Sequence, residues 1–469
     1  MTDEYDLIVL GGGPVGENVA DRAVQGGLTA VIVEDELVGG ECSYWACTPS
    51  KALLRPIHAL HAARHVRGVS GGSIDARAVF ERRDGFVAHW SDAGQVDWLR
   101  SAGIDLVRGH GRLVGEREVT VANENGDRML RARHAVAVTT GSSASMPGIP
   151  GLAEARPWTS REATSAEEVP ESLAIIGGGV VAVEMATAFA ALGARVTVLA
   201  RSGLLGGMED FAGERVADGL RELGVDVRLN TSTDKVTRGD DGVTVTIGDG
   251  TEVTAAEVLV ATGRRPRSSD IGLETVGLKP GDALDVDDTM LVPGTDWLYA
   301  VGDVNGRALL THQGKYQARA AGDVIVARSR GEVIADQPWG RHVASADHAA
   351  VPQVVFTLPE VASVGLTSDA AREAGHRIEV VDHDLGAVAG ASLHADGYTG
   401  MARMVVDVDR EVVLGVTFVG DDVAEMLPAA TIAVTAEVPI SRLWHAIPAY
   451  PTMGEIWLRL LEAYGRQSA

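Results

Sequence analysis

Tyr5-Asp6-Leu7-Ile8-Val9-Leu10-Gly11-Gly12-Gly13-Pro14-Val15-Gly16 carries an apolar run straight into a glycine loop. The run reads as a buried strand. A helical stretch to about Gly26 follows the loop, then Thr29-Ala30-Val31-Ile32-Val33 reads as a second strand ending at Glu34. Gly11, Gly13 and Gly16 have the GxGxxG spacing, set between strand and helix with an acid about 20 residues on, as a Rossmann unit requires. The glycines permit a tight turn and close approach of backbone to a pyrophosphate at the helix N-terminus. Glu34 is placed to accept hydrogen bonds from an adenosine ribose.

The same unit recurs. Ser172-Leu173-Ala174-Ile175-Ile176 leads into Gly177-Gly178-Gly179-Val180-Val181-Ala182, then a helix, then the strand Arg195-Val196-Thr197-Val198-Leu199. That strand ends in Ala200-Arg201-Ser202 and not in an acid. Without a carboxylate for the ribose 2′-hydroxyl, and with Arg201 at hand for a 2′-phosphate, the expected nucleotide is NADPH over NADH. The plainer alternative is that Arg201 is a surface residue.

Gly39-Gly40-Glu41-Cys42-Ser43-Tyr44-Trp45-Ala46-Cys47-Thr48-Pro49-Ser50-Lys51 holds both of the chain's cysteines. On an ideal helix two residues five apart are about 8.7 Å apart at Cα, whereas a disulfide tolerates at most about 7 Å. Pairing of Cys42 with Cys47 therefore demands a departure from helix between them. A strained, exposed disulfide is the easily reduced kind, and a helix start lowers a thiol's pKa. Two buried thiols are the alternative.

With 469 residues the chain should hold about three or four domains. Its net charge of −24 argues against nucleic acid and anionic membranes as partners. Met1-Thr2-Asp3-Glu4 is acidic, unlike a signal peptide, and no apolar run approaches the ~18 residues of a membrane span. A reducing cytoplasm is expected, where a persistent cysteine pair is more often catalytic than structural. No metal site is expected.

Two dinucleotide loops and a dithiol make three redox stations. With them the chain resembles the FAD-dependent pyridine nucleotide–disulfide oxidoreductases, the family of dihydrolipoamide dehydrogenase, glutathione reductase and mercuric reductase. The resemblance runs nearly end to end. It includes Val138-Thr139-Thr140-Gly141, Val260-Ala261-Thr262-Gly263-Arg264, Thr295-Asp296-Trp297-Leu298-Tyr299-Ala300-Val301-Gly302-Asp303, and Val354-Val355-Phe356-Thr357-Leu358-Pro359-Glu360-Val361-Ala362-Ser363-Val364-Gly365-Leu366. It implies an α/β fold of two nested Rossmann-like dinucleotide-binding domains plus a C-terminal α+β dimerisation domain. FAD would take residues 1–150 and 271–345, the nicotinamide nucleotide 151–270, and the homodimer interface 346–469.

By that resemblance FAD is held by Gly11, Gly13, Gly16, Glu34, Lys51, Gly111, Thr140, Gly141, Gly302 and Asp303. NAD(P)H is held by Gly177, Gly179, Ala182, Glu184, Arg201 and Gly263. Cys47 would lie against the flavin as the charge-transfer thiolate, with Cys42 as the interchange thiol. Lys51, paired with Glu184, would lie near the flavin N5 edge, where a cation stabilises the reduced, anionic ring. Asp303 would hydrogen-bond the ribityl chain.

The C-terminal signature departs from the family. Thiol–disulfide reductases read His-Pro-Thr-x-x-Glu there, the histidine serving across the dimer interface as acid/base. Here the segment is Tyr450-Pro451-Thr452-Met453-Gly454-Glu455. Glu455 keeps its place, but a phenol titrates about 3.5 units above an imidazole, which makes Tyr450 a base poorer by roughly 4.8 kcal/mol at neutral pH. His445 is the one imidazole nearby in sequence. Mercuric reductases also carry tyrosine at this position but use a second, C-terminal cysteine pair, and Glu462-Ala463-Tyr464-Gly465-Arg466-Gln467-Ser468-Ala469 has none. Tyr44 and Trp45, between the cysteines, either narrow access, stack a flat substrate, or simply pack at the dimer interface. The expected activity is reduction of a disulfide or related thiol substrate by NAD(P)H through FAD and Cys42–Cys47, in a homodimer with a composite active site. The alternative keeps the flavin but sends electrons to a quinone or another non-thiol acceptor. Mercury reduction, dihydrolipoamide dehydrogenase activity (no histidine, no acid after the second nicotinamide strand) and a non-enzymatic lipoyl- or partner-binding role rank lower.

Overall fold

The computed structural model describes residues 2–123 and 126–466. Met1 of the acidic opening and Gln467-Ser468-Ala469 of the thiol-free tail lie outside them. The chain folds as two units. The first takes Met1–Pro49, Asp84–Ser145 and Arg264–Asp347, and the second takes Ser50–Arg83, Met146–Gly263 and His348–Ala469.

In the first unit the opening apolar run lies in the strand Thr2–Leu10, where Leu7, Ile8 and Val9 have no exposed surface. Full burial of each such side chain contributes about 1.5–3 kcal/mol. A strand covered on both faces belongs inside a parallel sheet, and Thr2–Leu10 pairs in parallel with Ala30–Glu34 on one side and Arg128–Val138 on the other. Asp105–Arg108 extends the sheet beyond Ala30–Glu34. Leu298–Ala300, brought from far down the chain, pairs in parallel with Arg128–Val138. Glu118–Ala122 and His110–Gly115 complete the other edge in antiparallel fashion. Parallel neighbours need a crossover, and the first is the helix Pro14–Gln25, whose leading proline has its φ preset for a helix start. This helix packs along Thr311–Ser329.

The second unit repeats the theme. A parallel sheet runs Asp226–Arg228, Arg195–Leu199, Ser172–Ile176, Glu257–Val260. The crossover helix Val180–Leu192 is apolar nearly all round, with Ala182, Val183, Met185, Ala186, Ala188 and Phe189 all buried. Sheet side chains cover it on one face, while Leu54, Ile57, Val355 and Leu358 join the same core. A three-stranded antiparallel sheet, Thr233–Gly239, Gly242–Ile247 and Glu252–Ala255, leads back toward Glu257–Val260. The C-terminal part is a five-stranded antiparallel sheet centred on the wholly buried strand Val412–Gly420, with the helices Leu427–Thr435 and Ile456–Tyr464 packed on it. This is the α/β architecture the motifs imply, two Rossmann-like units followed by an α+β part. None of the described helices is long and apolar enough to cross a membrane.

Candidate functional site

The cysteine segment is not one helix. Gly40–Tyr44 forms a short helix carrying Cys42, Trp45 turns to φ −137°, and Cys47 is the first residue of a new helix, Cys47–Arg64. The ideal-helix separation therefore does not apply to the two cysteines, both of which are half-buried. Pro49 falls in the first turn of the second helix, where its missing N–H removes no intrahelical bond. The Cys47 Sγ is 3.5 Å from Oγ1 of Thr311, the first residue of the helix Thr311–Ser329. Of the two aromatics between the thiols, Tyr44 is buried and its hydroxyl donates to the Val38 carbonyl at 3.2 Å. Burial pushes that phenol up to about 12. Tyr44 packs, and Trp45 alone of the pair is partly exposed.

The first glycine loop is built for close approach. A Cβ on Gly16 would stand 2.0 Å from the Gly11 carbonyl oxygen, so helix and loop touch there through backbone alone. Gly40, at φ +56°, faces Gly13, and a Cβ on it would lie 2.9 Å from the Gly13 Cα. Backbone without side chains thus lines the space at the start of Pro14–Gln25. Glu34 accepts from the Gly12 N–H at 2.6 Å and the Glu36 N–H at 2.8 Å, and burial pushes its carboxyl up despite both bonds. Each carboxylate oxygen keeps a further lone pair for a ribose. These features fit a dinucleotide: a bare backbone cradle, a helix N-terminus for the pyrophosphate and an acid at the strand end.

Around this loop, Thr139 donates to the Gly11 carbonyl at 2.8 Å, and Thr140 donates to the Arg267 carbonyl at 2.6 Å, just before Gly141. Gly111 lies on the strand His110–Gly115 against the side chains of Leu10 and Val33. The Gly302 N–H donates to Gln317 Oε1 at 2.8 Å. Asp303 accepts from Ser142 Oγ at 2.5 Å, with Arg264 at 3.9 Å. Burial pushes its carboxyl up, and Ser142 and Arg264 oppose that shift.

The second loop differs in one place that matters. Gly178 faces the Ala200 Cβ and Leu204, where Gly12 meets a carboxylate. Gly179 caps Val180–Leu192, and a Cβ added there would meet nothing within 4 Å; Gly263 likewise faces open space. Ala182 is fully buried at the position equivalent to Gly16. Arg201 is exposed. Lys51 and Glu184, 133 residues apart, come together: Nζ to Oε2 is 2.7 Å. Glu184 is only 3 % exposed, its other oxygen accepts from the Phe356 N–H at 3.0 Å, and the Lys51 ammonium stands 5.0 Å from the Phe356 ring centroid.

At the C-terminal end, Tyr450 is 76 % exposed and His445 is also exposed. Glu455 is buried, and its Oε2 has no hydrogen-bond partner among the described residues; Arg459 stands at 3.9 Å from Oε1. Ile432 and Ile447 stand exposed beside an apolar groove of about 530 Å³ that Leu443 and Trp457 also line. Among the described residues no cluster of three or more histidines, cysteines or carboxylates is arranged to hold a metal.

Sequence reasoning missed Thr311, Phe356, Ser142 and the brace from Thr139. Thr139 lies inside a recognisable motif, so its side chain could have been assigned. Thr311 had no local signal, because its partner sulfur is 264 residues away.

Residues 5–323 match the family described as pyridine nucleotide-disulphide oxidoreductase, and residues 351–460 match that family's dimerisation domain. Dihydrolipoyl dehydrogenase 2 of Haloarcula marismortui is 31 % identical, over 97 % of this chain and 95 % of its own length. Mercuric reductase of Staphylococcus aureus is 31 % identical, over 96 % of this chain and 81 % of its own. In fold, the chain is similar to the Cu(II) complex of HOCl-induced flavoprotein disulfide reductase RclA from Escherichia coli, with a TM-score of 0.84 at 24 % identity over 98 % of this chain and 99 % of that one. Members of the matched family use FAD and NAD(P)H, and the bare cradle at Gly13 and Gly40 suits the first of these. The chain belongs to the pyridine nucleotide-disulphide oxidoreductase family and is an FAD-dependent NAD(P)H oxidoreductase.

Proposed function

We propose that the chain is an NADPH-preferring reductase of a disulfide or related thiol substrate, working through a redox-active Cys42–Cys47 pair. The observation that carries this reading is the placement of the pair. The two cysteines are half-buried, on separate helices, immediately after the Gly13–Gly40 cradle. Bound FAD supplies a two-electron link between the nicotinamide and the disulfide.

The chain's own residues then have distinct tasks. Gly11, Gly13 and Gly16 admit the pyrophosphate, Glu34 holds the ribose, and Asp303, steadied by Ser142, faces the ribityl chain. Lys51 holds positive charge for the reduced ring, and Glu184 fixes its position. Gly177 and Gly179 admit the nicotinamide nucleotide, and exposed Arg201 takes its 2′-phosphate. Reduced Cys42, in the short helix that begins at Gly40, attacks the substrate disulfide and expels one thiol, and Cys47 then displaces the second from the mixed disulfide as the Cys42–Cys47 bond re-forms.

We assign FAD to 1–150 and 271–345, the nicotinamide nucleotide to 151–270, and a homodimer interface to 346–469. The exposed Ile432 and Ile447 on the dimerisation segment support a second copy there. The buried Glu455 carboxylate, whose Oε2 has no donor among the described residues, supports a composite site completed at that interface. A reducing cytoplasm is the compartment in which such a pair is put to use.

The second reading, electron transfer to a quinone or other non-thiol acceptor, is favoured by one observation. No imidazole stands at position 450, and Tyr450 and His445 are both exposed. Replacing Cys42 and Cys47 by serine separates the two. Disulfide reduction should be lost in both variants while NADPH still bleaches the flavin. Turnover that survives on a quinone but never existed on any disulfide would refute the first reading.

A further inference from the structure

We propose that Thr311 is a positioning residue for the dithiol: its hydroxyl donates a hydrogen bond to the Cys47 sulfur and holds that sulfur as a thiolate once the pair is reduced. This rests on the reading that Cys42 and Cys47 form the exchanging pair.

Sγ and Oγ1 are 3.5 Å apart, within hydrogen-bonding reach of a sulfur acceptor. The contact sits where two long helices begin. Cys47 is the first residue of the 18-residue helix Cys47–Arg64, and Thr311 is the first of the 19-residue helix Thr311–Ser329. Helix N-termini favour negative charge, through about half a positive charge of aligned peptide dipole and through N–H groups lacking intrahelical partners. A thiolate at such a place is stabilised, and the hydroxyl adds a directed donor to the diffuse potential.

Reduction of the pair creates the charge that Thr311 meets. With FAD bound, the hydride that NADPH gives up would supply the two electrons that break the Cys42–Cys47 bond. The hydride's proton ends on Cys42, Cys47 is left as a thiolate, and NADP⁺ carries the balancing positive charge. Thr311 keeps its proton throughout. Position 450 is a tyrosine, and it and His445 are exposed.

Ionised groups on the surrounding elements are largely spoken for. Glu41, beside Cys42, pairs with Arg267 at 3.1 Å, and Lys51, one turn along from Cys47, pairs with Glu184. Other charged or titratable groups near the starts of the two helices include Arg55 and His312, both exposed, and Lys315, which acts on Glu17 of the first glycine helix.

The test uses full-length, FAD-loaded protein, reduced with one equivalent of NADPH. The long-wavelength absorbance of a thiolate against oxidised flavin is titrated with pH in the parent, Thr311→Val and Thr311→Ser. Removing a hydrogen bond to a charged group should move the Thr311→Val midpoint up by about one pH unit, so about tenfold less thiolate forms below the midpoint. Thr311→Ser should titrate as the parent does. A Thr311→Val midpoint equal to the parent's overturns the proposal, as does a Thr311→Ser midpoint that moves as far as the valine's. Should the valine fail to take up flavin, Thr311→Ala removes the same hydroxyl with less bulk. If the parent shows no such absorbance at any pH, the placement of Cys47 against the flavin is wrong. The role of Thr311 is then read from the pH profile of iodoacetamide alkylation of Cys47 in a Cys42→Ser background, where the same upward shift is expected and its absence overturns the proposal.

Discussion

Replacing Lys51 by methionine isolates what the Lys51–Glu184 pair contributes. Methionine keeps an unbranched stem over the Phe356 ring and removes only the charge. The Glu184 side chain is 4 % exposed, so Lys51→Met leaves a buried carboxylate that still accepts from the Phe356 N–H at 3.0 Å but has lost its cation. Breaking a buried pair in this way costs about 3–5 kcal/mol. The Lys51 side chain is 35 % exposed, and water there screens part of the attraction, which brings the expected loss to about 2.5 kcal/mol. Glu184→Gln is milder, because the amide oxygen still accepts from Phe356 and the ammonium turns to solvent. About 1 kcal/mol is expected. The double variant contains neither charge and should lose about 1.5 kcal/mol, which leaves a coupling near 2 kcal/mol of the size seen for residues in one network.

Urea unfolding of all four proteins, at fixed protein and FAD concentration because bound ligand shifts apparent stability, gives the four free energies. The asymmetry is the test. A Lys51→Met variant no less stable than Glu184→Gln, or a double variant whose loss equals the sum of the singles, would refute the description of Glu184 as a carboxylate dependent on its cation. In the flavin-loaded protein Lys51→Met should also lower the flavin's reduction potential. A potential unchanged from the parent would remove Lys51 from the ring's edge.

A second prediction concerns pH. Glu360 is pushed up from 4.5 to about 7, first by burial and then by Asp422, Asp421 and Glu425, while the Ala424 N–H opposes the shift. Its protonated form is the one the fold favours, so its contribution is full below about 4.5 and is lost as pH rises through about 7, on the order of 3 kcal/mol in all. Glu360→Gln should therefore gain on the parent between pH 5 and pH 8 in chemical denaturation, and a difference independent of pH would count against the buried-acid description. Third, two glycines at different places in their loops should respond in opposite ways to a methyl group. Gly16→Ala, with its Cβ 2.0 Å from the Gly11 oxygen, should yield little flavin-loaded protein, whereas Gly179→Ala, at φ −84° with open space around it, should fold with flavin bound yet raise KM for NADPH several-fold. A Gly179→Ala enzyme with unchanged KM would place the nucleotide elsewhere. Fourth, Arg201→Ala should weaken NADPH about tenfold at low salt and leave NADH unchanged, as expected for loss of a single phosphate contact. Equal effects on both nucleotides would assign Arg201 to the surface.

The parts legible in sequence are those whose physics is local. Thr2–Leu10 and Ser172–Ile176 announce themselves because a strand buried on both faces must be continuously apolar, and each is followed by a glycine loop whose spacing is set by backbone contact with the strand that precedes it. Glu34 could be assigned because the strand end fixes its distance from Gly12, and the 2.6 Å bond between them follows from that register. Contacts made by side chains from remote segments leave no such trace. Nothing near Thr311 marks it as a neighbour of Cys47, and nothing near Phe356 marks its N–H as the donor that helps hold Glu184. The pairing of Lys51 with Glu184 is legible only because a family resemblance stands in for the missing long-range information.

Tyr44 shows the converse limit. Its position between two thiols suggests a role in substrate access, yet the hydroxyl donates to the Val38 carbonyl and the residue is 1 % exposed. Tyr450, by contrast, is 76 % exposed. Glu455 is buried, and its Oε2 has no donor among the described residues, a cost of about 1–3 kcal/mol. Glu455 lies within residues 351–460, the segment that matches the family's dimerisation domain.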